Sequence, residues 1–403
     1  NYKRAIAAAP DYWEPAYFLG RFYLRRNRVE EAGKAMEEAL KKAPKLPETH
    51  VGMGEFLLAS LRMEEAKAEF FAAVELQKDF GPAHFGLARV LFNEGSLEDA
   101  RKEFELALEY DTAQPRLYTN FGTLLWKTKE LSRAAEILEK AKNADARDNT
   151  AIWQLGAVYF ELGRYDDALK NLEAALLLDP SNADTHFYKA RVHFMRHENT
   201  QAIEAMKAAL ERSSQRPEFH FHMGNMYMQA NRFVEAVERW NEAVRLNDTY
   251  ADALEALGKG YQDQTIYEQA IQYYDRALKA DPERRRLMLN IADCLYNMAR
   301  YDQAIARYQE ALKIDPDNVG AYFRIGRSYG EKGRIDEAIK WYVQTSKQDP
   351  KNTEVHRWLG YAYKEKNRRM EAIEAFKKYL ELNPNAGDAA DIGNEIYDLE
   401  QMR

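Results

Sequence analysis

Residues 149–182 read NTAIWQLGAVYFELGRYDDALKNLEAALLLDPSN, and the rest of the chain follows from this stretch. Ile152, Leu155, Gly156 and Tyr159 recur at the three- and four-residue spacing of one helix face. Gly163 then interrupts, where a helix can end through a left-handed cap. Ala168, Leu172 and Ala175 form the face of a second helix. Pro180 stops it, because proline has no amide hydrogen with which to continue the ladder. Small residues on the facing sides let two helix axes approach closely. The stretch predicts a helical hairpin.

The same hairpin recurs along the chain. Ala32, Ala66, Ala100, Ala134, Ala168, Ala202, Ala236, Ala270, Ala304, Ala338 and Ala372 stand 34 residues apart without a slip. Twelve residues before each stands Gly20, Gly54, Ala88, Gly122, Gly156, Ala190, Gly224, Gly258, Ala292, Gly326 or Gly360. Seven residues after each alanine another alanine follows, from Ala39 to Ala311, until Thr345 and Tyr379 replace it. Asn27, Gly95, Asn231, Gly333 and Asn367 share the place of Gly163. Pro10, Pro44, Pro282, Pro316, Pro350 and Pro384 share that of Pro180.

Numbered from 1 to 34, the repeats start at Trp13, Pro47, Gly81, Pro115, Asn149, Ala183, Pro217, Ala251, Arg285, Val319 and Thr353. In this register the columns resemble the tetratricopeptide-repeat (TPR) family. That family has Leu at 7, Gly at 8, Tyr at 11, Ala at 20, an aromatic at 24, Ala at 27 and Pro at 32. The resemblance covers residues 13–386. It implies an all-α, right-handed superhelical solenoid of helix-turn-helix units, with eleven full repeats. Residues 1–12 fit the second helix of a truncated repeat, with Ala5 and Pro10 in register, so the natural chain is expected to continue upstream. Residues 387–403 read as a C-terminal capping helix. Ala389, Ile392, Ile396 and Leu399 form its apolar side, and Asp388, Asp391, Glu395 and Asp398 its acidic side. Repeats two, three, four, six and seven lack the closing proline. Repeat six, with Asn199 at a site usually apolar, is expected to be the least regular.

Composition narrows the function. The 403 residues carry a net charge of −7, which weighs against nucleic acid as the main partner. Mean hydropathy is −0.65, and no apolar run is long enough to span a bilayer. One cysteine, Cys294, precludes an intrachain disulfide and suits a reducing compartment, so a cytoplasmic location is expected. The sequence starts at Asn1, which leaves open a targeting segment or domain before it.

Motifs that suggest chemistry fall on repeat positions. Gly326-Arg327-Ser328-Tyr329-Gly330 has the G-x-S-x-G form, but it lies inside a first helix and not on the strand-to-helix turn that such a nucleophile needs. Gly52-Met53-Gly54 and Gly258-Lys259-Gly260 are likewise helical. His193 and His197, four apart, have the spacing of a helical metal pair. Yet His193 occupies the Tyr column, and His186 and His220 share position 4 with His50, His84 and His356, so packing is the expected role. Cys294 reads as inert core. The basic groups Arg25, Arg26 and Arg28, Arg284 to Arg286, and Arg368 and Arg369 read as solvated helix ends. No catalytic residue, metal ligand or cofactor is expected.

In the family, first helices line an inner groove through positions 2, 5, 6, 9, 12 and 13. Across repeats three to seven these thirty positions hold seven charges and nine aromatics: Phe85, Phe92, Trp126, Trp153, Phe160, Phe187, Tyr188, Phe194 and Phe221. The twenty-four such positions of repeats eight to eleven hold thirteen charges and four aromatics. An aromatic binding strip is therefore expected in the middle repeats, although positions 5 and 12 also pack neighbouring repeats in this family. A second candidate set is Lys259, Asn290, Arg324 and Arg327, which resembles part of the carboxylate clamp of some co-chaperones. Glu255 and Gly320 stand where that clamp has basic residues. The expected function is a non-catalytic scaffold that holds a protein or peptide, within a larger assembly. Two alternatives stay open: a substrate-recruiting arm of an enzyme whose catalytic domain lies elsewhere, and a self-assembling structural scaffold. The position-6 asparagine ladder of the sugar-transferring enzyme with such an arm is absent: Phe18, Gly52, Gly86, Asn120, Gln154, Tyr188, His222, Ala256, Asn290, Arg324 and Trp358 stand there.

Overall fold

The computed structural model describes residues 11–111 and 115–401, so the expectations placed on Ala5 and Pro10 lie outside the described residues. The described residues hold 23 helices and no strand. The chain forms two compact units, Asn1–Arg212 and Ser213–Arg403. The 34-residue register runs through that division unbroken.

In the first unit six hairpins follow one another. They are α1 (Glu14–Arg25) with α2 (Val29–Lys42), α3 (Pro47–Ala59) with α4 (Met63–Leu76), and α5 (Gly81–Glu94) with α6 (Leu97–Tyr110). Then come α7 (Pro115–Lys127) with α8 (Leu131–Ala144), α9 (Asn149–Glu161) with α10 (Tyr165–Leu178), and α11 (Ala183–Met195) with α12 (Asn199–Arg212). The second unit holds α13 (Pro217–Gln229) with α14 (Phe233–Leu246), α15 (Ala251–Asp263) with α16 (Tyr267–Ala280), and α17 (Leu287–Asn297) with α18 (Tyr301–Ile314). It ends with α19 (Val319–Glu331) and α20 (Ile335–Gln348), α21 (Thr353–Glu365) and α22 (Arg369–Leu382), and a single last helix, α23 (Ala389–Gln401).

The small-residue columns are the hairpin contacts. All eleven position-20 alanines are at most 1% exposed. A Cβ added to Gly156 would stand 2.7 Å from Leu172, on the facing helix of its own hairpin, so the large residue at position 24 fills the space that position 8 leaves empty. Each hairpin turns at position 15, where the backbone is left-handed in every case. The next amide bonds back to the carbonyl five residues earlier, as from Arg164 N to Tyr159 O at 2.9 Å, which satisfies an orphan carbonyl at the helix end. Asp148, Asn182, Asn318 and Asn352, at position 34, cap the following helix by accepting from its third amide.

Repeat six keeps helices of 13 and 14 residues, so its departure is local: Asn199 Oδ1 is buried without a hydrogen-bond partner among the described residues. The shortened element lies in repeat nine, where α17 has 11 residues against 13 in α15. Arg284 is drawn back to Asp252 Oδ1 at 2.5 Å, Glu255 Oε2 at 2.6 Å and Asp281 Oδ2 at 3.0 Å, which holds the start of that repeat as a turn. Arg284 is therefore a tether between α15 and α17 and not a solvated side chain.

The last helix buries Ile392, Ile396 and Leu399 against Ile373, Phe376 and Tyr379 of α22. Its acids divide. Asp391 and Asp398 are exposed. Asp388, just before the helix, accepts from Arg357 Nη1 at 3.0 Å and Tyr379 Oη at 2.6 Å, and Glu395 pairs with Lys364.

Candidate partner-binding site

In the first unit the first helices, from α1 through α11, each touch the next in the series. No pair of second helices makes comparable contact among the described residues. The first-helix side is thus the crowded, inner side of this unit, and side chains at positions 5, 6, 9 and 12 meet there across repeats.

Four of the expected aromatics meet around a fifth, Tyr188 on α11. The Trp126 and Trp153 rings lie 5.8 Å apart, and Tyr188 is 5.8 Å from Trp126 and stacked on Trp153 at 6.3 Å. Phe160 and Phe187 stand edge-on to Tyr188 at 6.1 and 5.3 Å. Such offset and edge-to-face geometries are the favourable ones for ring quadrupoles. Trp126 Nε1 donates to Glu161 Oε1 at 2.9 Å, which fixes the indole, and Lys129 Nζ holds the other carboxylate oxygen at 2.8 Å. Phe187 is 6% exposed and mainly packs; Trp126, Trp153, Phe160 and Tyr188 are half-buried.

Arg191, one turn beyond Phe187, was legible only as one charge among seven. Its guanidinium lies 4.4 Å from the Phe160 ring centre, 5.4 Å from Phe187 and 5.5 Å from Tyr188. Burial lowers its pKa, with Tyr188 and Glu161 opposing that effect. A sequence signal existed: Arg89 and Arg191 both stand at position 9, preceded four residues earlier by Phe85 and Phe187, the rings that they meet.

The other expected aromatics lie apart from this cluster. Phe85 is 7% exposed and packs on Phe104, with ring centres 6.3 Å apart, so it belongs to the core. Phe92 carries Lys127 Nζ 5.1 Å above its ring. Phe194 is half-buried on α11. Phe221 lies in the second unit, against Tyr250 at 5.5 Å and His222 at 5.1 Å.

The second candidate set divides between two cavities of the second unit. Arg324 and Arg327 line one of about 490 Å³, together with Asp293, Tyr296 and Phe323. Lys259 lines another of about 310 Å³ with Met228 and Trp240. Asn290 is half-buried on α17 and lines neither. Both arginines have partners: Arg324 Nε is 3.2 Å from Asp293 Oδ1, and Arg327 donates to Tyr296 Oη at 2.9 Å and stacks on Trp358 at 4.1 Å. Burial raises the pKa of Asp293, against the donation by Tyr308 and the charge of Arg324.

Ser328 is fully buried within α19 and donates to Arg324 O at 2.8 Å, so its hydroxyl is not presented. Cys294 is fully buried, and burial pushes its thiol up to about 12. His193 bonds Glu198 at 2.5 Å, whereas His197 lies past the end of α11 in a left-handed turn, so the two do not share a helix face. No helix among the described residues is long and apolar enough to cross a membrane.

Family models described as tetratricopeptide repeat match residues 91–158, 263–318 and 298–359, residues 1–47, 53–116 and 154–217, and residues 354–386. One described as TPR repeat matches residues 224–264. No curated protein matches the chain. Among solved structures, YrrB, described as a TPR protein with an unusual peptide-binding site, is 23% identical, with 48% of this chain and 100% of that one covered and a TM-score of 0.41. MamA from Desulfovibrio magneticus RS-1 is 20% identical over 42% and 96%, with a TM-score of 0.39. A tetratricopeptide repeat protein from Parabacteroides merdae is 14% identical over 58% and 93%, with a TM-score of 0.49.

Proposed function

The chain belongs to the tetratricopeptide-repeat family, and on that premise we propose that it is a non-catalytic scaffold holding an extended segment of a partner protein across the inner face of α7, α9 and α11. The observation that carries this reading is the ring cluster. Trp126, Trp153, Phe160 and Tyr188 meet on three successive first helices and stay half-exposed. The acid beside them, Glu161, is already held by Trp126 and Lys129. A face with wide apolar area and few free charges gains more from burying a partner's side chains than from ion pairing.

The test is capture of partners by the 403-residue chain and by its Trp126→Ala, Trp153→Ala double variant. Helicity of the variant is checked first, because these rings also pack neighbouring repeats. Loss of the same proteins, at about 1–3 kcal/mol per true anchor, is expected. The Arg324 cavity is the second reading, favoured by its volume of about 490 Å³ and by an Arg324 side chain that is 44% exposed while Asp293 holds its Nε. Unchanged capture by the tryptophan variant, with loss in an Arg324→Ala, Arg327→Ala variant, moves recognition to that cavity.

A further inference from the structure

Arginines in this chain ordinarily have an acid. Arg28, Arg164, Arg232, Arg334 and Arg368, all at position 16, pair with Glu31, Asp167, Glu235, Glu337 and Glu371 three residues on. Arg191 makes no ion pair among the described residues, although it is half-buried. Rings stand over its guanidinium at 4.4, 5.4 and 5.5 Å. The Tyr188 hydroxyl takes one hydrogen bond from it, but one hydroxyl and the ring faces leave most of the five guanidinium N–H groups, whose fork matches a carboxylate, without an acceptor. Glu161, whose charge acts on Arg191, bonds Trp126 and Lys129 and makes no ion pair with Arg191 among the described residues. Arg89, at the same inner position three repeats earlier, also lies over a ring, Phe85 at 5.5 Å, and makes no ion pair among the described residues, although the charge of Glu55 acts on it more than that of Arg116.

We infer that the partner's segment carries an internal aspartate or glutamate that Arg191 binds at the centre of the ring cluster, beside a bulky apolar residue seated on Trp126 and Trp153; this rests on the binding face proposed above. The acid is a side chain and not a chain terminus, because apolar surface continues on both sides of the guanidinium. Half-buried Tyr188 precedes it on α11, and half-buried Phe194 and the exposed Met195 follow. A carboxylate in this low-dielectric setting is little screened by salt, so the pair acts as a selectivity element within an apolar site.

The test is selection of random peptides displayed between constant flanks on the whole chain. Enriched peptides are expected to carry Asp or Glu within a few residues of Trp, Phe or Leu. Changing that acid to its amide is expected to weaken binding about ten- to a hundredfold. Arg191→Gln should erase the difference between acid and amide peptides, and Arg191→Lys should keep part of it. A merely structural role for Arg191 would weaken both peptides equally and leave their ratio unchanged, which overturns the inference. Peptides that need Trp126 and Trp153 but show no acid preference also overturn it, while the binding face stands. A selection that yields no peptide dependent on those tryptophans removes the binding face, and this inference with it.

Discussion

Thr265 holds a left-handed backbone, with φ at 59°, where Gly163 and Gly333 occupy the same turn of their own hairpins. A β-branched residue in that region is under steric strain, of about 1–2 kcal/mol relative to an unstrained conformation. Thr265 is exposed, so burial offers it little compensation. Thr265→Gly is therefore expected to raise the urea midpoint of the second unit by an amount equivalent to about 0.5–1 kcal/mol, after the larger chain entropy of glycine is counted. An unchanged or lower midpoint contradicts the strain argument. Leu61, Lys129, His197 and Ala299 take the same conformation, and none announced it in the sequence. Only Gly and Asn are legible there, because the packing of two helices imposes the turn on whatever residue occupies it.

Position 4 shows the same dependence on neighbours through charge. His84 Nδ1 faces Glu103 Oε2 at 2.6 Å, and Nε2 faces Lys78 O at 2.8 Å, so both ring nitrogens meet acceptors and the imidazolium is favoured. Glu103 raises its pKa above the ordinary 6.5. His186 bonds Pro180 O in the same way, but Ala205 stands where Glu103 would be, and burial lowers its pKa. The two histidines therefore have opposite linkage. Stability from His84 is fully present below its unfolded pKa of about 6.5 and is lost as pH rises through the higher folded value. For His186, stability falls as pH drops below about 6.5, because the unfolded chain takes up the proton more readily. An NMR titration should place His84 above, and His186 below, the ordinary value; the reverse order contradicts the assignment.

At the scale of elements, α23 shows how a stack of hairpins is closed. Ile392 is fully buried and Ile396 and Leu399 nearly so, against Phe376 and Tyr379. Ile392→Ala is expected to cost about 2–4 kcal/mol in that contact. Each helix packs chiefly on its sequence neighbours, so the loss should stay local. Hydrogen exchange in α23 and α22 should accelerate while α18 keeps its protection; acceleration throughout the second unit contradicts local closure. The apolar stripe of α23 was legible from its spacing. That Asp388 and Glu395 turn inward to Tyr379, Arg357 and Lys364 was not, since a helical wheel places acids on a face without showing what the adjoining hairpin offers them. The ring cluster has the same character. Its members were visible as inner positions, whereas the convergence of Trp126, Trp153, Phe160 and Arg191 on Tyr188 depends on how α7, α9 and α11 pack together.

For the whole molecule, the unbroken register concealed a division into Asn1–Arg212 and Ser213–Arg403, because a repeat pattern records what each hairpin is and not how strongly successive hairpins cohere. Nearest-neighbour packing makes stability a sum of local terms, and a chain of 403 residues built this way is not expected to unfold as one cooperative step. The tryptophans allow a direct test. Trp126 and Trp153 report on the first unit, and Trp240, Trp341 and Trp358 on the second. Two variants, one keeping only the first pair and one keeping only the last three, should show urea midpoints that differ from each other, while far-UV circular dichroism spans both. The replaced tryptophans themselves perturb packing, so each variant is compared with the circular-dichroism curve of the intact chain. Coincident midpoints for both fluorescence reporters and for circular dichroism, with a urea slope appropriate to 403 residues, would show one cooperative body and overturn the additive account. Separated midpoints would mean that one unit can open while the other stays folded, and that the ring cluster of the first unit keeps its geometry independently of the arginine-lined cavity of the second.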